Sequence, residues 1–368
     1  MTRIAKLHPI ASDTVAIDFN PEGGHFDRVV FRSGGREISP LHRAPWREET
    51  LPADTPVALR NLAGDFFCAP FCAADLDGSP FHGWTSNGRW QAAGEAKDAS
   101  GGSTIGFRLE NPVMGASVTK EITLHPGHPV IYQHHVFTGG QGALPVGHHV
   151  MVRSSGGLTL SFSPKAFGIT PEAPQEPDPE RGRFALAYPQ RFADLSRAKR
   201  ADGTPIDLTR HPIDPRAEDV VFLVDEPGRE FAWSAALCRS EGFLFFAIKD
   251  PKILTGTMLW MSNGGRFYEP WSSRHTGCLG IEELCSYGAE GHRASIASNP
   301  VSAAGYNTAL ELKPKGDVAI PYAFGATAMG PEWSKVADIQ RKPQALRIID
   351  VSGAMAEVPF DWDFLKSR

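Results

Sequence analysis

Short alternations of apolar and polar residues, not helical periodicity, organise this sequence. Leu158, Leu160 and Phe162 share one parity while Thr159 and Ser161 take the other, as a half-buried strand requires. Residues 14–19 and 26–31 are similarly short runs rich in β-branched and aromatic side chains. Two further runs, Val220 to Val224 and Phe243 to Ile248, are apolar throughout. They are too short for helices and are flanked by Asp, Gly and Pro, so they read as strands buried on both faces. Such strands need layers above and below them, which two large packed sheets supply. No regular alternation of strand with long helix occurs, which argues against a doubly wound or barrel α/β architecture.

Two stretches break the pattern. Residues 163–217 are dense in Pro and charge, which core strands exclude, so they are expected to run over the surface with one short strand near Phe184 to Tyr188. Residues 331–341, PEWSKVADIQR, place Pro at a first-turn position with an acid beside it and predict the one good helix, packed as a late appendage. No repeat or linker divides the chain. The expectation is therefore one domain over residues 1–368, an all-β, large antiparallel β-sandwich with few short helices.

Composition agrees with that architecture and removes several functions. The 37 Gly and 30 Pro supply turns between short strands, and 41% hydrophobic residues can fill a large core. A net charge of -5 without a basic block lacks the footprint of a nucleic-acid binder. No stretch approaches the roughly 20 apolar residues that span a bilayer, and the first residues do not resemble a signal peptide, so no membrane partner and a cytoplasmic location are expected. The five cysteines suit reduced, buried thiols. Cys68 and Cys72 have no second pair at zinc-finger spacing, so no metal is expected there, and neither a metal nor a cofactor is expected for the chain.

Candidate chemistry lies where polar groups stand among aromatics and glycines. PFHGWTSNGRW sets His82 beside Gly83 and Trp84, HPVIYQHHVF carries His134 and His135, and LPVGHHVMV carries His148 and His149 on what reads as the next strand. The segment from Leu259 to Tyr287 collects Trp260, Asn263, Arg266, Trp271, Arg274, His275, Glu282 and Glu283. A sugar site needs this mixture, flat apolar surface for the C–H faces of the ring and a few oriented donors and acceptors for its hydroxyls. A metal site built from the four paired histidines across neighbouring strands is a further reading of the same residues.

In order along the chain, His82-Gly83, then Leu144-Pro145-Val146-Gly147-His148-His149, then Leu279-Gly280-Ile281-Glu282 resemble the motifs of the galactose mutarotase-like, aldose 1-epimerase family. The separation of 67 residues between His82 and His149 suits it, and Leu310 to Asp317 is similar to the family's late strand entry. The resemblance implies a β-supersandwich and interconversion of sugar anomers, with a carboxylate and an imidazole on opposite sides of the ring as base and acid. Carried over, Glu282 is the base, His149 or His148 the acid, and His82 and Arg60 contact the sugar. Trp260, Trp271, Arg266 and Arg274 are candidate substrate contacts from composition, the two arginines suiting a phosphorylated sugar if they converge. Glu282 is followed by Glu283 where the family commonly has Pro. Adjacent strand residues face opposite ways, so only one of each pair, Glu282 or Glu283 and His148 or His149, can enter the site. The expected partner is a small carbohydrate and the oligomeric state is left open. The alternative to an isomerase is a protein of the same fold that holds a carbohydrate without turning it over.

Overall fold

In the computed structural model, which describes residues 6–366 apart from Ser100 and Ser154, strand parity sorts the apolar residues into three layers. The strand Cys278–Cys285 sends Leu279, Ile281 and Cys285 into the main core and Cys278 and Leu284 into a separate apolar cluster on its other face. Ala217–Asp225 and Gly256–Asn263 divide in the same way, with Val221, Leu223, Leu259 and Met261 inward and Val220, Phe222, Met258 and Trp260 outward. These strands belong to an eight-stranded sheet. The main core is shared with a nine-stranded sheet, whose other face buries Trp233, Leu244, Phe246 and Ile248 under a three-stranded sheet from residues 336–359. Every strand pairing among the described residues is antiparallel, and no helix there exceeds five residues. The expected all-β antiparallel sandwich is the architecture found, and both continuous apolar runs are strands buried on two faces.

The helix expected at Pro331 to Arg341 is absent. Residues Val336–Lys342 form a strand paired with Ala345–Asp350. A register shift between Val336 and Asp338 lets Val336 and Ile339 both enter the outer core, so a spacing that suits one helix face comes from a bulge. The Ser334 and Lys335 N–H groups donate to the Asp350 carboxylate, each at 2.8 Å, which fixes the entry to the strand. The strand expected near Phe184 to Tyr188 is also replaced. Leu186 makes one isolated bridge to Arg200, and the N–H groups of Ala185 and Leu186 donate to Asp219 at 2.9 and 3.0 Å instead of to a partner strand. Residues 163–217 do not lie wholly on the surface, because Lys165–Ile169 joins the eight-stranded sheet and Leu186, Ala198 and Leu208 are fully buried.

Of the four paired histidines, His135 and His148 meet between the sheets, their ring centroids 5.0 Å apart, while His134 and His149 point away to opposite sides. His134 and His135 occupy Val130–Gly139 of the nine-stranded sheet, while His148 ends Val146–His148 of the eight-stranded sheet. His135 points between the sheets and stacks on Phe67 at 3.9 Å; His134 points the other way, onto Phe364 at 4.1 Å. His148 also faces inward, 3.4 Å from Asp65 and stacked on Tyr322 at 4.1 Å. A four-histidine metal centre is therefore not assembled.

Candidate functional site

The outer face of the eight-stranded sheet brings the sugar-site candidates together. Glu282 shares the parity of Cys278 and Leu284 and points outward, whereas Glu283 points between the sheets. There Glu283 meets Lys249 Nζ at 2.5 Å and accepts from Thr257 at 2.7 Å and Ser234 at 2.5 Å. Lys249 also pairs with Asp225 at 2.7 Å, and Lys165 reaches the same carboxylate at 2.5 Å. His148 and His149 divide likewise, and His149 is the outward one. Its Nε2 lies 3.4 Å from Glu282 Oε1, and among the described residues neither Glu282 oxygen has a hydrogen-bond partner.

Aromatic groups wall this pair. Phe66 stacks on His149 at 4.4 Å with His25 stacked on its other side at 4.2 Å, and the rings of His82 and Trp260 each meet His149 edge-on at 5.3 Å. Trp260 Nε1 donates to Glu218 at 2.5 Å, and Glu218 pairs with Arg266 at 3.2 Å. The Arg266 guanidinium lies 4.3 Å over Trp271 and donates to Gln175, so residues 171–183 cover this side of the face. The Arg183 N–H donates to Gly265 O at 2.8 Å and the Phe267 N–H to Arg181 O at 2.8 Å, which ties that cover down.

His82 is placed by backbone conformation. It sits at φ +67° and Gly83 at φ +72°, and a Cβ on Gly83 would lie 1.9 Å from the Ala69 carbonyl oxygen. Only glycine fits there, which explains the His-Gly dipeptide. His82 Nδ1 accepts from the Cys72 N–H at 3.2 Å, so in the neutral ring Nε2 carries the hydrogen and is the donor. Gly83→Ala is expected to cost at least ~2 kcal/mol of folding stability, read from the urea midpoint, because left-handed strain and a backbone clash combine. An unchanged midpoint contradicts the placement.

No family model matches the chain, and no curated protein matches it in sequence. Solved structures do match in shape. The Slr1438 protein of Synechocystis sp. PCC 6803 is 12% identical with TM-score 0.57, over 88% of this chain and 96% of its own. An Escherichia coli K12 protein provisionally named an aldose 1-epimerase gives 14%, 0.56, 88% and 99%, and the galactose mutarotase related enzyme of Lactobacillus acidophilus gives 10%, 0.50, 87% and 97%. The chain has the galactose mutarotase-like fold.

Within this fold, His82, His149, Trp260, Arg266, Trp271 and Glu282 occupy one face, while Arg274 makes its contacts with Glu49, Pro270 and Trp46. Its contact with Glu49 is paired, at the exposed rim, with one bond of 2.8 Å, and Arg266 pairs with Glu218 instead. Arg60 ends the helix Val57–Arg60, and its carbonyl accepts from Arg47 at 3.3 Å. Glu282 and His149 are neighbours and do not face one another across a ring-wide gap. Sequence reasoning passed over Glu218, His25 and Phe66. The available signal for Glu218 was a carboxylate opening the apolar run of Val220 to Val224.

Burial sets the protonation of the site. Loss of water alone holds the Glu282 carboxyl well above the usual carboxylate range. His149 is pushed down to about 4 and His82 well below its ordinary value, again chiefly by burial. Burial thus disfavours the charged form of both partners and favours a protonated Glu282 carboxyl beside a neutral His149 imidazole. Buried neutral histidines also govern acid stability. His25 and His211 are held at about 3 by burial, and in the unfolded chain each titrates near 6.5. Below pH ~6.5 the unfolded state binds the extra protons, so stability falls as pH drops, by about 1.4 kcal/mol per unit for each such histidine until its folded value is reached. Urea midpoints are expected to fall from pH ~6.5 toward pH ~4, because the buried neutral histidines outnumber Glu282, Glu218 and Asp219, whose raised carboxyls act in the opposite sense. A flat profile across that window contradicts the burial of these rings as neutral groups.

Proposed function

We propose that this chain is an aldose 1-epimerase-like isomerase in which Glu282 and His149 move protons at the anomeric centre of a sugar. The observation that carries the reading is the 3.4 Å approach of His149 Nε2 to a buried Glu282 carboxyl that has no hydrogen-bond partner among the described residues, on a face lined by Trp260, Trp271 and Arg266. The naming of two fold neighbours supports the same substrate class.

Ring opening takes one proton from the C1 hydroxyl and gives one to the ring oxygen as the C1–O5 bond breaks and the C1 carbonyl forms. Both oxygens are bonded to C1, so an acid and a base side by side can reach them from one side of the ring. The protonated Glu282 donates to the ring oxygen while the neutral His149 accepts from the hydroxyl, the reverse of the roles expected from the resemblance. The step leaves a carboxylate beside an imidazolium, an ion pair that their contact stabilises in the water-poor site. After rotation about C1–C2, the imidazolium returns its proton to the C1 oxygen and the carboxylate takes back the other, restoring both groups. The His82 Nε2–H suits a hydroxyl, and the indoles suit the C–H face.

Closure of the face favours a second reading, a carbohydrate-binding protein without turnover, because Glu282 is fully buried and His149 is 5% exposed. Polarimetry of a panel of freshly dissolved aldoses separates the two. The proposal expects at least one sugar to equilibrate faster than in buffer, and a sugar that binds but keeps its buffer rate contradicts it.

A further inference from the structure

At the far end of the same sheet face, one ligand atom from each of His42, His275 and Cys278 lies within 4.8 Å of the other two. The fold fixes all three from the backbone. Cys278 opens the strand Cys278–Cys285, opposite Ser262 on one side and Arg153 on the other. His42 is pinned beside that sheet, its N–H donating to Met151 O at 2.8 Å and its carbonyl accepting from Gly64 at 2.9 Å. The Gly264 N–H holds the His275 carbonyl at 2.7 Å, and the two imidazoles meet edge to face at 4.6 Å.

Among the described residues, the hydrogen bonding leaves two ring nitrogens without partners at this cluster and fixes the tautomer of one of them. The Ser262 hydroxyl donates to Glu218 at 2.8 Å, so at its 2.8 Å contact with His275 Nδ1 it accepts. His275 therefore carries its hydrogen on Nδ1 and presents a bare Nε2. That nitrogen is buried in a residue 1% exposed, and among the described residues it has no partner; His42 Nε2 is likewise buried and unpartnered. Unused buried imidazole nitrogens are costly unless something fills them. The relay from Glu218 through Ser262 to His275 is the outer-shell arrangement that fixes a metal-binding tautomer.

We propose that His42 Nε2, His275 Nε2 and Cys278 Sγ bind a zinc ion. Two imidazoles and one thiolate suit a borderline-soft, tetrahedral divalent ion with a fourth position for water, and carboxylate-seeking ions such as calcium or magnesium do not match this set. Zinc bonds of about 2.0 to 2.3 Å bring the ligand atoms to about 3.5 Å apart, so the cluster closes with shifts of about 1 Å. Trp46, Trp260 and Trp271 enclose it in an apolar shell, with Trp46 and Trp260 at 5.4 Å and Trp271 at 5.1 Å from the His275 ring. The ion stands outside the Glu282–His149 pair, because Trp260 separates His275 from His149.

The test is equilibrium dialysis of the full chain against zinc, with cobalt as the optical probe. One ion per chain is expected, with a thiolate-to-cobalt charge-transfer band and the intense visible bands of a four-coordinate ion. Cys278→Ser abolishes the charge-transfer band, and both Cys278→Ser and His42→Gln weaken zinc binding by about 100-fold, whereas Ser262→Ala weakens it by about 10-fold. Cys238→Ser, at a buried cysteine elsewhere, leaves binding unchanged. Circular dichroism establishes that each variant is folded, and His42, only partly buried, supplies the variant of least structural risk. Wild-type binding no tighter than that of a His42→Gln/Cys278→Ser double variant overturns the proposal. Cobalt spectra without thiolate character do the same.

Discussion

Glu282→Gln is expected to slow catalysed anomer equilibration by roughly a thousandfold, about 4 kcal/mol of lost transition-state stabilisation. Glutamine keeps the shape, but it has no acidic proton to give the ring oxygen and cannot become the carboxylate that takes one back. Sugar binding, which the proposal assigns to Trp260, Trp271 and Arg266, should stay within a small factor of wild type. His149→Gln should cost a similar amount, and the double variant little more, because the two groups act as one unit. A Glu282→Gln protein that retains the wild-type rate removes the carboxyl from the mechanism.

The second large effect is on folding. Lys249 is 1% exposed, and its ammonium meets Asp225 at 2.7 Å, Glu283 at 2.5 Å and the Gly256 carbonyl at 2.6 Å between the two sheets. Asp225 and Glu283 hold its pKa up against burial. Lys249→Met leaves the two acids with Lys165 as the remaining cation of the cluster, and should cost about 3–5 kcal/mol, the usual consequence of stranding a buried charge. Adding Glu283→Gln should recover part of that loss. Arg274→Ala, which removes a rim ion pair, should change stability by less than about 1 kcal/mol. Urea unfolding of these variants checks the series, and equal losses for Lys249→Met and Arg274→Ala contradict the account of the inner network.

The sandwich was legible because buried strands leave a simple record: five or six apolar residues between breakers, as at Val220 to Val224, cannot serve one face alone. The site was half legible. The order of His82, His149 and Glu282 along the chain led to residues that the structure places on one face, but parity within a strand has no absolute sign in sequence, so the choice between Glu282 and Glu283 waited for the register of Cys278–Cys285 against Gly256–Asn263. The arrangement of the paired histidines was hidden for the same reason, since only parity decides that His135 and His148 meet between the sheets while His134 and His149 point away. The strand at Val336–Lys342 was misread because Pro331 and Glu332, which suit a helix's first turn, form a turn ahead of the strand instead. Glu218 and His42 escaped notice because their roles come from residues far away in sequence, Trp260 and Arg266 for one, His275 and Cys278 for the other.

The physical core of the functional reading is that Glu282 and His149 hold one proton between them at neutral pH, resting on the carboxyl. Infrared difference spectroscopy of wild type against Glu282→Gln measures this directly. The account predicts a protonated-carboxyl C=O band at neutral pH that disappears in the variant, with His149 neutral by nitrogen NMR. A carboxylate band beside a neutral imidazole would contradict it, for the pair would then have no proton to deliver.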